Sequence, residues 1–178
     1  MNLDLARLLE ELRADLAEDR PASLAYAQFG DPGSEDDVPA NLPAGLREFL
    51  LVVDGLRAGS FELTSTRRLS DIQYYLHYAP DFAPITRNPA GWLVIGTRGD
   101  EPIFMARDTG AIWYFPAPGA AWFTADTFAE IAPDLASFVH YYLLGPGYPE
   151  LVAADDRWQA FLHQHGLLDE ADASEQEQ

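Results

Sequence analysis

Three apolar runs in close succession, Trp92 to Thr97, Ile103 to Ala106 and Ala111 to Phe115, constrain this chain more than any other feature. Between them lie Arg98-Gly99-Asp100-Glu101 and Arg107-Asp108-Thr109-Gly110, both short and both rich in turn-forming residues. Gaps of that kind join neighbouring strands by hairpin turns, so the spacing predicts an antiparallel meander over about residues 91–115. Helical patterns flank it. Leu5, Leu8, Leu9, Leu12 and Leu16 recur at three- and four-residue spacing after a candidate cap at Asn2, which predicts a helix ending before Pro21. Pro43 in a first turn, Leu46, Phe49, Leu50 and Val53 on one face and Gly55 beyond the end predict a second helix.

Elsewhere the pattern is weaker. Ser23 to Phe29 and Ser60 to Thr64 read as short strands, Leu69 to Tyr78 as a weak helix, residues 79–90 as an irregular connector and Trp122 to Ala132 as a further extended segment. Pro133 opens a helix carrying Leu135, Phe138, Val139 and Tyr142 and closed by Gly145; a last helix spans Pro149 to His165, with Leu151, Trp158, Phe161 and Leu162 inward. Without alternating βαβ units, this order predicts an α+β fold in which N- and C-terminal helices cover an antiparallel sheet. The 178 residues suffice for one well-buried core. The expectation is a single domain over residues 1–168 and an acidic, disordered tail over 169–178.

The net charge is −18, from 29 acids against 11 bases, and all the bases are arginine. Such a chain lacks the basic footprint needed to hold nucleic acid through its phosphates, and it has no attraction to anionic membranes. The acidity with Lys absent also matches a GC-rich genome or a high-salt cytoplasm. No apolar stretch is long enough to span a bilayer, and the opening residues read as a charged amphipathic pattern, so the expectation is that no secretory leader is present. Cysteine is absent, which removes disulfides and thiol chemistry together. A cytoplasmic location is the expectation.

A search for chemistry finds little to build on. His163-Gln-His165 stands near Asp155 and Asp156, but positions two apart on a helix do not share a face. His140, before Tyr141 and Tyr142 on a mostly apolar helix, reads as an ordinary packed or edge histidine, and His77 lies among Tyr74, Tyr75 and Tyr78, where aromatic packing accounts for it. No nucleophile elbow, P-loop or dinucleotide-type glycine turn occurs. The loop Asp31 to Asp37 carries Asp31, Glu35, Asp36 and Asp37, without the alternating ligand order and closing Glu of an EF-hand. Arg98-Gly99-Asp100 reads as a hairpin turn. The sequence therefore predicts no catalytic residues, no cofactor and no metal.

Leu42-Pro43-x-x-Leu46-Arg47-x-Phe49-Leu50, followed by Asp54-Gly55-Leu56, resembles the opening of the SUKH superfamily, which includes bacterial immunity proteins and fungal cell-wall-assembly regulators. Trp92-Leu-Val-Ile95-Gly96-x-x-Gly99-Asp100, the strand Ile103 to Ala106, Asp108-x-Gly110-x-Ile112-Trp113-Tyr114 and the stretch Phe128 to Leu143 look like the later segments of that superfamily in the same order. The resemblance covers about residues 40–144. It implies a non-enzymatic protein-binding role, commonly the neutralisation of a toxin. Among the motif residues, Leu42, Phe49, Leu50 and Trp92 fit a core, Pro43 a helix start, and Gly55, Gly99 and Gly110 backbone positions with positive φ or a tight turn; Gly96 is a further structural residue of the motif.

Residues 1–40 hold ten acids and three arginines, residues 41–120 eight and seven, and residues 121–178 eleven and one, five of those eleven in the tail. The family-like centre is nearly neutral, so the excess charge sits on the flanks. Asp31, Glu35, Asp36, Asp37, Asp155 and Asp156 become the candidate partner-facing residues. Tyr74, Tyr75, Tyr78, Phe82, Trp113, Tyr114, Trp122 and Phe123 exceed what a minimal core requires; they either pack between sheet and helices or stand exposed as binding anchors. The leading expectation is an immunity-type protein that binds a toxin domain through charge complementarity and buried rings. Alternatives are a regulatory or scaffold protein with no toxin, and a small-ligand protein or enzyme using the sheet–helix cleft. The sequence does not fix the oligomeric state, the partner's identity or the surface used.

Overall fold

In the computed structural model, which describes residues 3–18, 20–116, 121–152 and 156–168, seven strands form one sheet whose spatial order follows the sequence. They are β1 (Gln28–Phe29), β2 (Leu56–Ala58), β3 (Phe61–Leu63), β4 (Trp92–Arg98), β5 (Glu101–Ala106), β6 (Ile112–Tyr114) and β7 (Ala129–Ala132). Each pairs antiparallel with the next. The three apolar runs are β4, β5 and β6, and the turns between them use positive φ at Gly99 (+55°) and Gly110 (+80°). The α+β expectation holds.

Helices surround the sheet: α1 (Leu3–Glu18), α2 (Ala44–Val52), α3 (Pro84–Arg87), α4 (Leu135–Phe138), α5 (Tyr148–Leu151) and α6 (Arg157–Gln164). In α1, Leu5, Leu9, Leu12 and Leu16 are buried, as their spacing predicts. Leu46, Phe49 and Leu50 do the same in α2, with Leu42 packed against that core and Pro43 just before the first helical residue. Arg13 of α1 donates to the carbonyl oxygen of Val52 (3.1 Å), where the end of α2 leaves an acceptor open. Asp134 caps α4 by accepting from the Ser137 N–H (2.7 Å), and the chain continues as a π turn over Val139–Leu143.

The strands read as near-continuous apolar runs because both sheet faces are covered. Leu93, Ile95, Ile103 and Met105 point into one core with α1, α2, α4 and α6. Their neighbours Trp92, Val94, Phe104 and Ala106 point into a second core with Ile85, Phe115 and Trp122. A 3-10 helix (Asp71–Tyr78), α3 and a 3-10 turn (Trp122–Thr124) roof this second face. Successive residues of a strand face opposite ways, so a two-sided burial erases the alternation that would mark a one-sided sheet.

Several elements differ from the sequence reading. Ser23 to Phe29 opens as a 3-10 turn (Ala22–Leu24), and Gln28–Phe29 alone pairs as strand. β2 was not foreseen: three residues directly after a helix are too few to show a period, and it folds back on β3 at Gly59 (φ +58°). The segment from Trp122 likewise begins as a 3-10 turn, with strand from Ala129. The connector over 79–90 contains α3. The last helix is two, because α5 ends at Leu151 and Asp156 caps a new helix by accepting from the Trp158 N–H (2.7 Å). Asn2, Asp155 and the tail 169–178 lie outside the described residues.

Candidate functional site

The acidic loop comes first in the chain. Asp31, Glu35, Asp36 and Asp37 are all exposed, yet the loop is tethered along its length. The Gly33 N–H donates to Leu50 O (2.9 Å), the Asp54 N–H donates to Asp31 O (3.0 Å), and Val38 is buried. Ser34 donates its hydroxyl to Asp37 (2.6 Å) and accepts from the Asp37 N–H (3.2 Å). Arg47 of α2 donates to Glu35 (2.8 Å). Negative charge is thus presented at fixed positions, which lowers the ordering cost of an encounter.

Asp156 is not part of that array. It caps α6 and faces a cleft of about 1000 Å³ at the other end of the β2–β3 hairpin, which also meets Ser60, the β4–β5 turn and α5. The cleft wall is organised by Arg98, Glu101 and Tyr114. Arg98 and Glu101 are cross-strand partners flanking the turn, and Arg98 donates to the Glu101 carboxylate through Nε (3.0 Å) and Nη2. Nη1 of Arg98 donates to Leu151 O, and its guanidinium lies 4.9 Å from the Tyr114 ring centroid. Tyr114 donates its hydroxyl hydrogen to the same Glu101 carboxylate. Burial, and then that carboxylate, push the Tyr114 hydroxyl well above the ordinary tyrosine range, while the nearby Arg98 pulls the other way. On the neighbouring wall buried Tyr148 accepts from the Ser60 N–H (3.4 Å), and burial followed by Asp156 raises its pKa too.

Large rings stand in the open around the second face: Tyr74 is 51 % exposed, Tyr78 62 %, Phe82 44 % and Phe123 55 %. Tyr74 stacks on Tyr75 at 4.2 Å, Tyr75 meets Trp122 edge-on at 5.7 Å, and Trp122 meets Phe123 at 5.9 Å, so Tyr74 and Phe123 grow out of the packed layer. Tyr75 is pushed up to about 12 by burial, by Tyr74 and by the Asp100 charge. Of the eight aromatic residues singled out by sequence, Tyr114 and Trp122 are buried, Tyr75 and Trp113 half-buried, and the other four exposed.

The histidines are spread out. His165 donates from Nδ1 to Phe161 O (2.9 Å) and lies with Nε2 3.2 Å from Asp15, joining α6 to α1. His77 and His140 are exposed, so the aromatic packing expected for His77 does not apply, while His140 takes the edge alternative. Among the described residues no group of three or more His, Asp or Glu is close enough to hold a metal ion, and no helix is long and apolar enough to cross a membrane.

The residues that carry the SUKH resemblance hold the fold together. Phe49, Leu50 and Trp92 are buried, and Gly55 has φ +96°. At Gly96 a Cβ would stand 2.3 Å from Glu62 O, so β3 approaches β4 as closely as a bare backbone allows. Sequence reasoning missed the Arg98–Glu101–Tyr114 wall: Arg98 and Glu101 are legible as a pair across a two-residue turn, while Tyr114 arrives through the register of β5 on β6. No protein-family model matches the chain, and a search of curated proteins finds no match.

Proposed function

We propose that this chain is a protein-binding module of the SUKH kind that acts by binding, without catalysis, and that its partner is a toxin domain it neutralises. The observation that carries the reading is the set of exposed rings, Tyr74, Tyr78, Phe82 and Phe123, of which Tyr74, Tyr78 and Phe123 join a packed aromatic layer. Rings of this kind supply contact area at low entropic cost and dominate binding energy once desolvated. The tethered carboxylates Asp31, Glu35, Asp36 and Asp37 add long-range attraction for a basic partner, which speeds encounter and selects against acidic surfaces.

The test is co-expression with each toxic reading frame adjacent to the gene. Restored growth together with a stoichiometric complex on size exclusion is the expected result. A toxic neighbour that forms no complex and remains toxic overturns the toxin reading, and a stable complex with a non-toxic protein from an unrelated operon replaces it with a regulatory one.

A further inference from the structure

We infer that the cleft at the β4–β5 turn receives an arginine- or lysine-bearing segment of the partner, an inference that rests on the protein-binding reading and gives it a place. Among the described residues four carboxylates line this cleft, those of Asp100, Glu101, Glu150 and Asp156, against the single cation Arg98. Arg98 is already engaged by Glu101 and by Leu151 O. Glu150 accepts from the Tyr141 hydroxyl (2.8 Å) and Asp156 from the Trp158 N–H, both neutral donors that leave the negative charge in place.

The wall also shows what chemistry it suits. Arg98 sits over the Tyr114 ring with its guanidinium on a carboxylate, so one cation is already caged between an aromatic face and an acid. Phe123 offers a second, half-exposed ring on the same cleft, backed by buried Trp122. Ser60 Oγ, buried on this wall, has no hydrogen-bond partner among the described residues. The volume of about 1000 Å³ is at the top of the range that small-molecule sites occupy. It suits a length of chain presenting a cationic side chain better than an isolated cation.

The experiment uses the full chain and a short fluorescein-labelled Arg-Ser repeat peptide, with its citrulline counterpart as the uncharged isostere, read by fluorescence anisotropy. Phe123→Ala and Asp100→Asn, both at exposed positions, each weaken binding of the arginine peptide by about fivefold, and the citrulline peptide does not bind. Joint neutralisation of Asp31, Glu35, Asp36 and Asp37 is the control for diffuse attraction to an acidic chain and has the smaller effect. An arginine peptide that fails to bind, or that loses as much with the loop variant as with the cleft variants, overturns the inference. Free arginine amide binding as tightly as the peptide overturns the segment as occupant. A co-expressed complex untouched by Phe123→Ala and Asp100→Asn removes this cleft while leaving the protein-binding reading intact.

Discussion

Gln73 holds Val94 by both ends of its side-chain amide: the Val94 N–H donates to Oε1 (3.0 Å), and Nε2 donates to Val94 O (2.8 Å). The same Nε2 donates to Leu69 O (2.8 Å). β3 ends at Leu63, and its last main-chain bond to β4 runs from the Thr64 N–H to Ile95 O (2.9 Å). Beyond that point β4 has outrun its neighbour, and one glutamine stands in for the missing strand while pinning the roof of the second core. Gln73→Leu leaves three main-chain groups, the Val94 N–H, Val94 O and Leu69 O, without these partners and lowers stability by about 2–4 kcal/mol. Urea unfolding measures the loss, and faster amide exchange at Val94 locates it. Equal unfolding midpoints would show that water replaces the amide without penalty.

The second prediction concerns α6. Trp158 is fully buried, stacks on Phe161 at 4.8 Å and donates its indole N–H to Leu143 O (2.9 Å) at the end of the π turn. Trp158→Phe keeps most of the apolar contact but leaves that carbonyl unpaired, costing about 1–3 kcal/mol. Trp158→Ala adds a cavity and costs about 3–5 kcal/mol. Thermal denaturation of the pair separates the hydrogen bond from the packing. Equal losses in the two variants would mean that the bond carries the whole effect.

Alkaline pH tests the tyrosines. Tyr75, Tyr114, Tyr142 and Tyr148 are all raised, each first by burial, so the folded chain keeps these protons after the unfolded chain has released them. Their contribution to stability is complete below the ordinary tyrosine pKa of about 10 and is lost as pH climbs above it. Stability therefore falls steeply on the alkaline side. Tyr114→Phe, which removes one such group and its bond to Glu101, costs about 1 kcal/mol near neutrality but flattens the alkaline fall. Denaturant midpoints across pH, followed with tyrosinate absorbance, check both halves.

The architecture was legible where residue spacing is repetitive. α1 announces itself through four buried leucines, and the meander through Gly99 and Gly110 at its turns. What escaped was short or non-local. β2 has three residues and no period, and the break between α5 and α6 depends on a cap at Asp156 inside an otherwise helical pattern. The two-faced burial of β4 and β5 removed the alternation that tells which side a residue faces. For the candidate site, the acidic loop could be read directly from its composition. The cleft could not, because Ser60, Arg98, Tyr114, Phe123 and Glu150 meet through strand register and helix packing over long separations.

The acidic loop yields the last prediction, which separates its two effects. Its carboxylates are exposed, so their field reaches a partner through solvent and is screened over about 8 Å at physiological ionic strength. With a basic partner obtained by co-expression, the association rate falls steeply as salt rises, while dissociation changes less. Neutralising Asp31, Glu35, Asp36 and Asp37 together flattens that dependence. Asp37 needs separate treatment, because its carboxylate also accepts the Ser34 hydroxyl and helps set the turn. Asp37→Asn retains an acceptor there, whereas Asp37→Ala removes it. Stopped-flow association across salt, with thermal melts of each variant, distinguishes the readings. A rate that ignores both salt and loop neutralisation removes electrostatic steering, and a melt lowered by Asp37→Ala but not by Asp37→Asn assigns that residue to the turn rather than to the partner.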